Sequence, residues 1–249
     1  MKMKTSPAVR LLFAIVFWLS LWQIAAAQLA KPLLLPSPFQ VLSRLFELML
    51  SGDFWLFTAL SLLRIAAGTA AAIVLGILLA VLCCRFSLAD ALFSPLLTAV
   101  KATPVASFVI LVLVWADRNY VPVLISALMV LPVIWANVYA GIKGTDSQLL
   151  ELAKVYRLPP LRVLRRIYIP SVLPHFRAAC RAALGLGWKA GIAAEVLTVP
   201  KASMGRMIYE SKLYLQTTDL FAWTLAVIML SLLIEKLMLW LMEGRRKDA

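Results

Sequence analysis

The chain has little that is acidic and almost nothing that could do chemistry. Asp and Glu number 12 among 249 residues, against 25 Lys and Arg. There is a single histidine, His175, and there are three cysteines, Cys83, Cys84 and Cys180. An odd cysteine count without metal-ligand spacing excludes both a disulfide framework and a zinc site. A lone histidine at a helix entrance reads as structural before catalytic. No Gly-x-x-x-x-Gly-Lys-Ser/Thr phosphate loop occurs, so the chain cannot hydrolyse a nucleotide by that route. No polar run is long enough to form a separate soluble domain.

What is present is apolar. Hydrophobic residues make up 63% of the chain and the mean hydropathy is +0.90, where a soluble domain is nearer half apolar. The reading is one all-α polytopic membrane domain over 1–249. The net charge of +13 could point to nucleic acid. Its placement in short segments between apolar runs points instead to loops of a membrane protein, and a nucleic-acid partner is not expected.

Six spans are expected: Leu11–Ala30, about Thr58–Cys83, about Leu92–Trp115 with Lys101 and Pro104 inside it, about Val121–Ile142, about Ser171–Ala194 and about Phe221–Met242. The first has a rival reading as a signal peptide, since Lys2, Lys4 and Arg10 precede it and Ala25-Ala26-Ala27 resembles a cleavage site; a retained span is preferred. The fifth is rich in small residues (Ala178, Ala179, Ala182, Ala183, Gly185, Gly187), which lets helix backbones approach in lipid. Between the first two spans, Ser37-Pro38-Phe39-Gln40 is a helix start with a Ser cap, a first-position Pro and a reaching Gln. The stripe Val41, Leu42, Leu45, Phe46, Met49 that follows is too short to span and predicts an interfacial helix over about 38–50.

Positive charges fall on alternate sides. Lys2, Lys4, Arg10, Arg85, Lys143, Lys154, Arg157, Arg162, Arg165, Arg166, Arg245, Arg246 and Lys247 share one side. Lys31, Arg44, Arg118, Lys201, Arg206 and Lys212 lie opposite, offset by Glu47, Asp53, Asp117, Glu210 and Asp219. The bias places both termini in the cytoplasm.

The segment ELAKVYRLPPLRVLRRIYIPSVLP, Glu151 to Pro174, is polar far beyond what a connector needs. Thr145 or Ser147 is expected to cap a first helix whose apolar side is Leu149, Leu150, Ala153 and Tyr156. Pro159-Pro160 ends it and opens a second, on which Arg162, Arg165 and Arg166 share a face. Pro170 is expected to stop the second helix before the fifth span. Headgroup contact would explain the arginines, but not the caps and the paired break. Two short capped helices read as a knob for a soluble partner, over about 143–170.

That segment resembles the EAA loop of permease subunits of bacterial ABC importers. Glu151 and Ala153 match its first and third positions, Leu152 replaces the second, and Ile167, Ile169 and Pro170 match its end. Arg157 stands where the family has Gly, which favours a left-handed turn; the reading is that Pro159-Pro160 supplies the break in its place. LLLPSPFQVLSRL, ALSLLRIAAGTAAAIVLGILLAV, PLLTAVKATPVASF, GLGWKAGIAAEVL and SMGRMIY, in that order over most of the chain, are similar to permeases of the nitrate/sulfonate/taurine type.

The resemblance implies a type I ABC importer permease fold in the bacterial inner membrane. It implies two cytoplasmic ATPase subunits that bind ATP and Mg, a periplasmic or lipid-anchored solute-binding protein, and a second copy of the permease, beside membrane lipid. It implies no catalytic residue, metal or cofactor in this chain. It gives Glu151, Ala153, Arg157, Leu158, Arg162, Ile167 and Pro170 an ATPase-coupling role. Charged groups inside spans are functional candidates, so Lys101, Pro104, Trp188, Lys189 and Glu195 are candidates for a path, with the lysines drawing an anion and Trp188 walling a cavity. Snorkelling or interhelical pairing explains the lysines equally well. The rivals are a secondary transporter, for which no internal repeat is visible, and a membrane enzyme, for which no constellation converges.

Overall fold

A Pro-first, Ser-capped start and long apolar runs fold here as helices throughout. The computed structural model describes residues 7–31 and 33–243, with side chains for 9–31 and 33–237. Lys2, Lys4, Arg245, Arg246 and Lys247 lie outside the described residues. The elements are α1 (Pro7–Leu29), α2 (Pro38–Met49), α3 (Gly52–Arg85), α4 (Ser87–Ala102), α5 (Val105–Leu113), α6 (Val121–Lys143), α7 (Ser147–Val155), α8 (Pro160–Val163), a π turn (Leu164–Tyr168), α9 (Ile169–Thr198), α10 (Met204–Leu213) and α11 (Thr217–Glu243). The described residues contain no strand.

Helix α6 is the centre, packed along its length by α3 on one side and α9 on the other. Glycines set these contacts. A Cβ on Gly68 of α3 would collide with the Val123 carbonyl of α6, and one on Gly191 of α9 would lie 2.5 Å from Ile65 Cγ1 and 2.6 Å from Ser126 Oγ. Close approach of this kind is how helices associate where lipid removes the hydrophobic drive between them. Ala179, Ala183, Gly187, Ala190, Gly191 and Ala194 are buried, so α9 is the packing helix expected from its small residues.

At one end α2 carries the capping box: Gln40 N–H donates to Ser37 Oγ at 3.3 Å and Ser37 N–H to Gln40 Oε1 at 2.9 Å. Its stripe divides. Val41 and Leu45 are buried among Phe54 of α3 and Trp223 of α11, while Leu42 and Phe46 face outward. Arg44 grips Asp219 of α11 through two N–H groups at 2.7 and 2.9 Å and also holds Glu47 at 2.8 Å.

Among the described residues four helices are long and apolar enough to cross a membrane, α1, α3, α6 and α11, and five spans result if one bent pair is counted. The six expected are not all found: α9, though 30 residues long, carries Arg177, Arg181, Lys189 and Glu195 and is not among them. The third expected span is not straight either. It is α4 and α5, bent by 106°. Pro104 has no N–H and drives Thr103 to an extended ψ of 135°, which ends α4.

The knob departs from expectation at three points. Asp146, and neither Thr145 nor Ser147, caps α7, accepting from Gln148 N–H at 2.8 Å. Pro170 does not stop the second helix. The chain runs from α8 through the π turn directly into α9, and Ile169 N–H reaches back five residues to Leu164 O. The wider turn accommodates the Arg166 carbonyl, which Pro170 cannot serve.

Third, the left-handed turn is present, and Arg157 makes it. Its φ is +50°. Leu158 N–H donates to Ala153 O at 2.9 Å and Arg157 N–H to Lys154 O at 3.0 Å. These are the paired bonds of a Schellman ending, with Arg at the position where Gly is usual. Pro159-Pro160 then opens α8 and does not replace that turn.

A left-handed residue with a Cβ carries a penalty of about 1–2 kcal/mol, part of which a glycine returns through its freer unfolded chain. Arg157→Gly is therefore expected to stabilise the end of α7 by about 1 kcal/mol. Hydrogen exchange at the Arg157 and Leu158 amides should slow roughly fivefold. Faster exchange in the Gly variant would mean that the arginine side chain holds the turn.

Candidate functional site

A carboxylate buried in an apolar chain must find partners or give up its charge. Glu195, in the last turn but one of α9, has no exposed surface. The Ser61 hydroxyl of α3 donates to its Oε2 at 2.7 Å, and Gly205 N–H donates to the same oxygen at 3.1 Å. Oε1 faces Arg64 Nη1 of α3 at 3.6 Å. Met204 N–H donates to Ser61 Oγ at 3.0 Å, and Arg206 N–H to Ser203 Oγ at 3.1 Å.

The first three N–H groups of α10 are thus each satisfied from a different source. Glu195 places a carboxyl oxygen at the positive end of that helix dipole. Gly205 is required for the approach: a Cβ there would meet Glu195 Cβ, Val196 N at 2.6 Å and the Glu195 carbonyl carbon at 2.7 Å.

The link between α9 and α10 is strained. Val199 has φ +49° and Ala202 φ +48°, costing on the order of 1–3 kcal/mol each unless the surroundings enforce them. Arg64 does the enforcing. Nη1 donates to Ala202 O at 3.1 Å and Nη2 to Lys201 O at 2.8 Å. Across the same end, Lys201 N–H donates to Asn119 Oδ1 at 3.0 Å. Asn119 in turn donates its backbone N–H to Asp117, which holds that carboxyl below the ordinary range. Three connections are tied together at one end: α3, the α5–α6 loop and the α9–α10 link.

Sequence reading flagged Glu195 but not Ser61, Ser203 or Gly205, and it left Arg64 without a role. An arginine inside an apolar run three residues after a serine was the available signal. The expected path residues separate. Trp188 is buried in a cluster with Ile65 and Trp223 and donates to Val227 O at 3.2 Å. Glu195 is equally interior. Lys189, between buried Trp188 and Ala190, is exposed. Lys101 is exposed at the end of α4, and Pro104 is exposed at the start of α5. Lys189 and Glu195 do not pair; Glu195 has Arg64.

At the opposite end stands the knob. Ala153 and Thr145 are buried, with Leu150, Leu158 and Ile167 partly so. Glu151, Arg157, Arg162 and Pro170 are exposed. The apolar side of α7 divides: Ala153 and Leu150 turn inward, while Leu149 and Tyr156 are exposed, as are Leu152, Val155 and Leu161. An exposed apolar surface set among charges is suited to a protein partner. Among the described residues no group of three or more His, Cys, Asp or Glu could hold a metal.

Removing one member of the buried set leaves the others unpartnered. Glu195→Ala is expected to destabilise the chain by about 3–5 kcal/mol. Gly205→Ala is expected to cost about 1–3 kcal/mol by overpacking. Thermal unfolding in detergent checks both, with exposed Lys189→Met as the variant that should not move. Wild-type stability in Glu195→Ala would show that the network is dispensable to the fold.

Comparison with known proteins gives this architecture its relatives. The chain is 26% identical to the putative aliphatic sulfonates transport permease protein SsuC of Bacillus subtilis, over 82% of this chain and 74% of the relative. It is 32% identical to the formylaminopyrimidine transport permease protein ThiX of Halalkalibacterium halodurans, over 67% and 66%. It is 30% identical to the bicarbonate transport system permease protein CmpB of Synechocystis, over 80% and 75%. Residues 72–244 match the model of the binding-protein-dependent transport system inner membrane component. That match covers α6, the knob, α9 and α10 together, and the chain belongs to this family of inner membrane transport permeases.

Proposed function

We propose that this permease carries a small anionic solute inward and is driven through the α7–α8 knob by a cytoplasmic ATPase pair. Membership in a family of transport permeases, and not of enzymes, is established by the match; the solute class, the coupling and the orientation are our reading. The observation that carries it is the knob: capped at Asp146, closed at Arg157 and continuous through a π turn with α9. A flexible loop would absorb a partner's motion, whereas a helix joined end to end with a packed helix transmits it. In this reading ATP and Mg sit in the partner subunits, an external binding protein delivers the solute, and two permease copies face each other across the path. Single-domain organisation over 1–249, with both termini in the cytoplasm, completes the proposal. A secondary transporter would have no use for the knob, and no observation favours it.

The solute class rests on Lys101 and Lys189, which are exposed, whereas Glu195 and Arg64 are turned inward and paired with each other. Relatives are named for sulfonates, for bicarbonate and for a formylaminopyrimidine, so the lysines decide more than the names do. Closing a water-filled route over an exposed ammonium draws in an anion.

Two variants test the reading. Glu151→Lys reverses the charge near the start of α7 on the exposed knob. It should insert normally, yet solute-stimulated ATP hydrolysis of the reconstituted complex should fall on the order of tenfold or more, as expected for like charges forced together at an interface. Undiminished hydrolysis would remove Glu151 from the contact. Lys189→Met keeps the stem and removes the charge. It should assemble with its ATPase, retain hydrolysis and lose most import. Import at the wild-type rate would leave Lys189 a snorkelling group, and failure to assemble would make it an interhelical one.

A further inference from the structure

The knob end of the chain holds a groove that the transport reading does not use. It has a volume of about 450 Å³ and lies between the last turns of α3 and α6 and the first turns of α9. Ile77 and Val81 form one wall, Val138 and Ile142 the floor, and Val172 and Leu173 the other wall. Leu164 and Tyr168, the first and last residues of the π turn, close it at the knob. Its lining is overwhelmingly apolar, and the one charged group among the lining residues is Arg85.

The groove is polarised from end to end. Along α3 it runs from Ile77 to Arg85, about 12 Å at the ~1.5 Å helical rise. Half of the ~30 Å hydrocarbon layer is about 15 Å, so the groove spans most of one leaflet. Four cations gather at one end of it, while Arg177, next to Phe176 on α9, is not among the lining residues. Arg85 is in the last turn of α3, Lys143 is in the last turn of α6 beyond Ile142, and Arg165 and Arg166 follow Leu164 in the π turn. Lys143 Nζ lies 5.6 Å from the Tyr139 ring. Of the acids at this end, Asp90 already accepts from the Tyr139 hydroxyl at 2.8 Å and Asp146 from Gln148 N–H at 2.8 Å, while Glu151 is exposed on the knob. The opposite end, at Ile77 and Phe176, is apolar.

An apolar trough one leaflet long with cations at the headgroup level has the polarity of a phospholipid. We propose that the groove between α3, α6 and α9 binds one acyl chain of an anionic phospholipid, with the phosphate held by Arg85 and Lys143. A small hydrophilic anion would gain nothing from the lining. Basic pockets between spans at a headgroup layer take anionic lipids by this combination of forces. The proposal needs only that this end of the chain lies at a membrane surface. Because Leu164 and Tyr168 close the groove, an occupied groove braces the π turn and with it the knob.

Native mass spectrometry of the purified full chain, delipidated and then titrated with phosphatidylglycerol or phosphatidylcholine, tests this. The wild type should retain one phosphatidylglycerol in preference to phosphatidylcholine. Val81→Trp, which fills the trough from an exposed position, should weaken retention roughly tenfold or more, since two lost methylene contacts suffice for that. Leu173→Trp fills the same space from the other wall and serves if the first variant does not fold. Leu75→Trp, exposed on α3 away from the groove, should bind as the wild type does. Arg85→Gln should reduce the preference for phosphatidylglycerol roughly fivefold, the worth of one basic group at a charged surface. Equal affinity for the two lipids overturns the proposal. So do wild-type retention by both groove-filling variants, equal loss in Leu75→Trp, and a polypeptide occupant that lipid does not displace.

Discussion

One carboxylate organises the end of this molecule opposite the knob. Glu195 lies 134 residues from the serine whose hydroxyl it accepts and ten from the glycine whose N–H it accepts. An ionised carboxylate has no tolerable position in an apolar interior without such donors. The converse also holds: α10 begins with free N–H groups inside the protein, and few groups other than a carboxylate and a hydroxyl could satisfy two of them from other helices. Each side of the contact solves the other's problem. The strained link at Val199 and Ala202 follows from it, because only a tight reversal brings the start of α10 back onto the end of α9. Arg64 closes the set by standing against the Glu195 carboxyl and pinning the reversal with the same guanidinium.

The remainder is packing suited to a membrane. Where lipid is as apolar as the helix surface, interfaces are chosen by shape. Gly68 lets α3 meet the backbone of α6, and Gly187 and Gly191 let α9 close onto side chains of α3 and α6. Outward faces of α1 and α11 keep Phe13, Trp18, Leu232 and Leu233 exposed, as they can where hydrocarbon and not water is the solvent. Between the ends, polar contacts from helix to helix include Trp188 to Val227 O and Ser126 to Gly187 O, and ion-paired or charged anchors stand at the peripheries. Arg44 with Asp219 ties α2 to α11 at one periphery, and Tyr139 with Asp90 ties α6 to α4 at the other.

Sequence reading succeeded where a local rule decided the outcome. The Ser37–Gln40 capping box needs only four adjacent residues, and it formed as read. The richness of the fifth apolar run in small residues marked α9 as the packing helix through Ala179, Ala183 and Gly187, whereas Ala178 and Ala182 are exposed and Gly185 meets open space. Misreadings arose where two rules competed locally. Asp146 prevailed over Thr145 as a cap, because Thr145 is buried and its hydroxyl bonds back to Gly141 O at 3.2 Å. Pro104 was placed inside a straight span, though its missing N–H favours a break. Pro170 was taken as a stop, but a π turn offers a proline a way to stay within a helix. Arg157 was judged unable to do a glycine's work, although the bonds that close α7 outweigh its modest penalty. The Glu195 network was out of reach for a different reason: its members lie far apart in the chain, and no spacing rule joins Ser61 to Gly205.

The π turn has a consequence in plain lever mechanics. Because α8 does not end before α9 begins, knob and helix form a single arm. At about 1.5 Å per residue, the 30 residues of α9 alone extend about 45 Å. One tip of that arm is the knob, and the other carries Glu195. A tilt too slight to disturb the small-residue contacts at the fulcrum on α6 is magnified at both tips. The amplitude of any motion entering at the knob is therefore set by arm length, and its direction by where the glycines place the pivot.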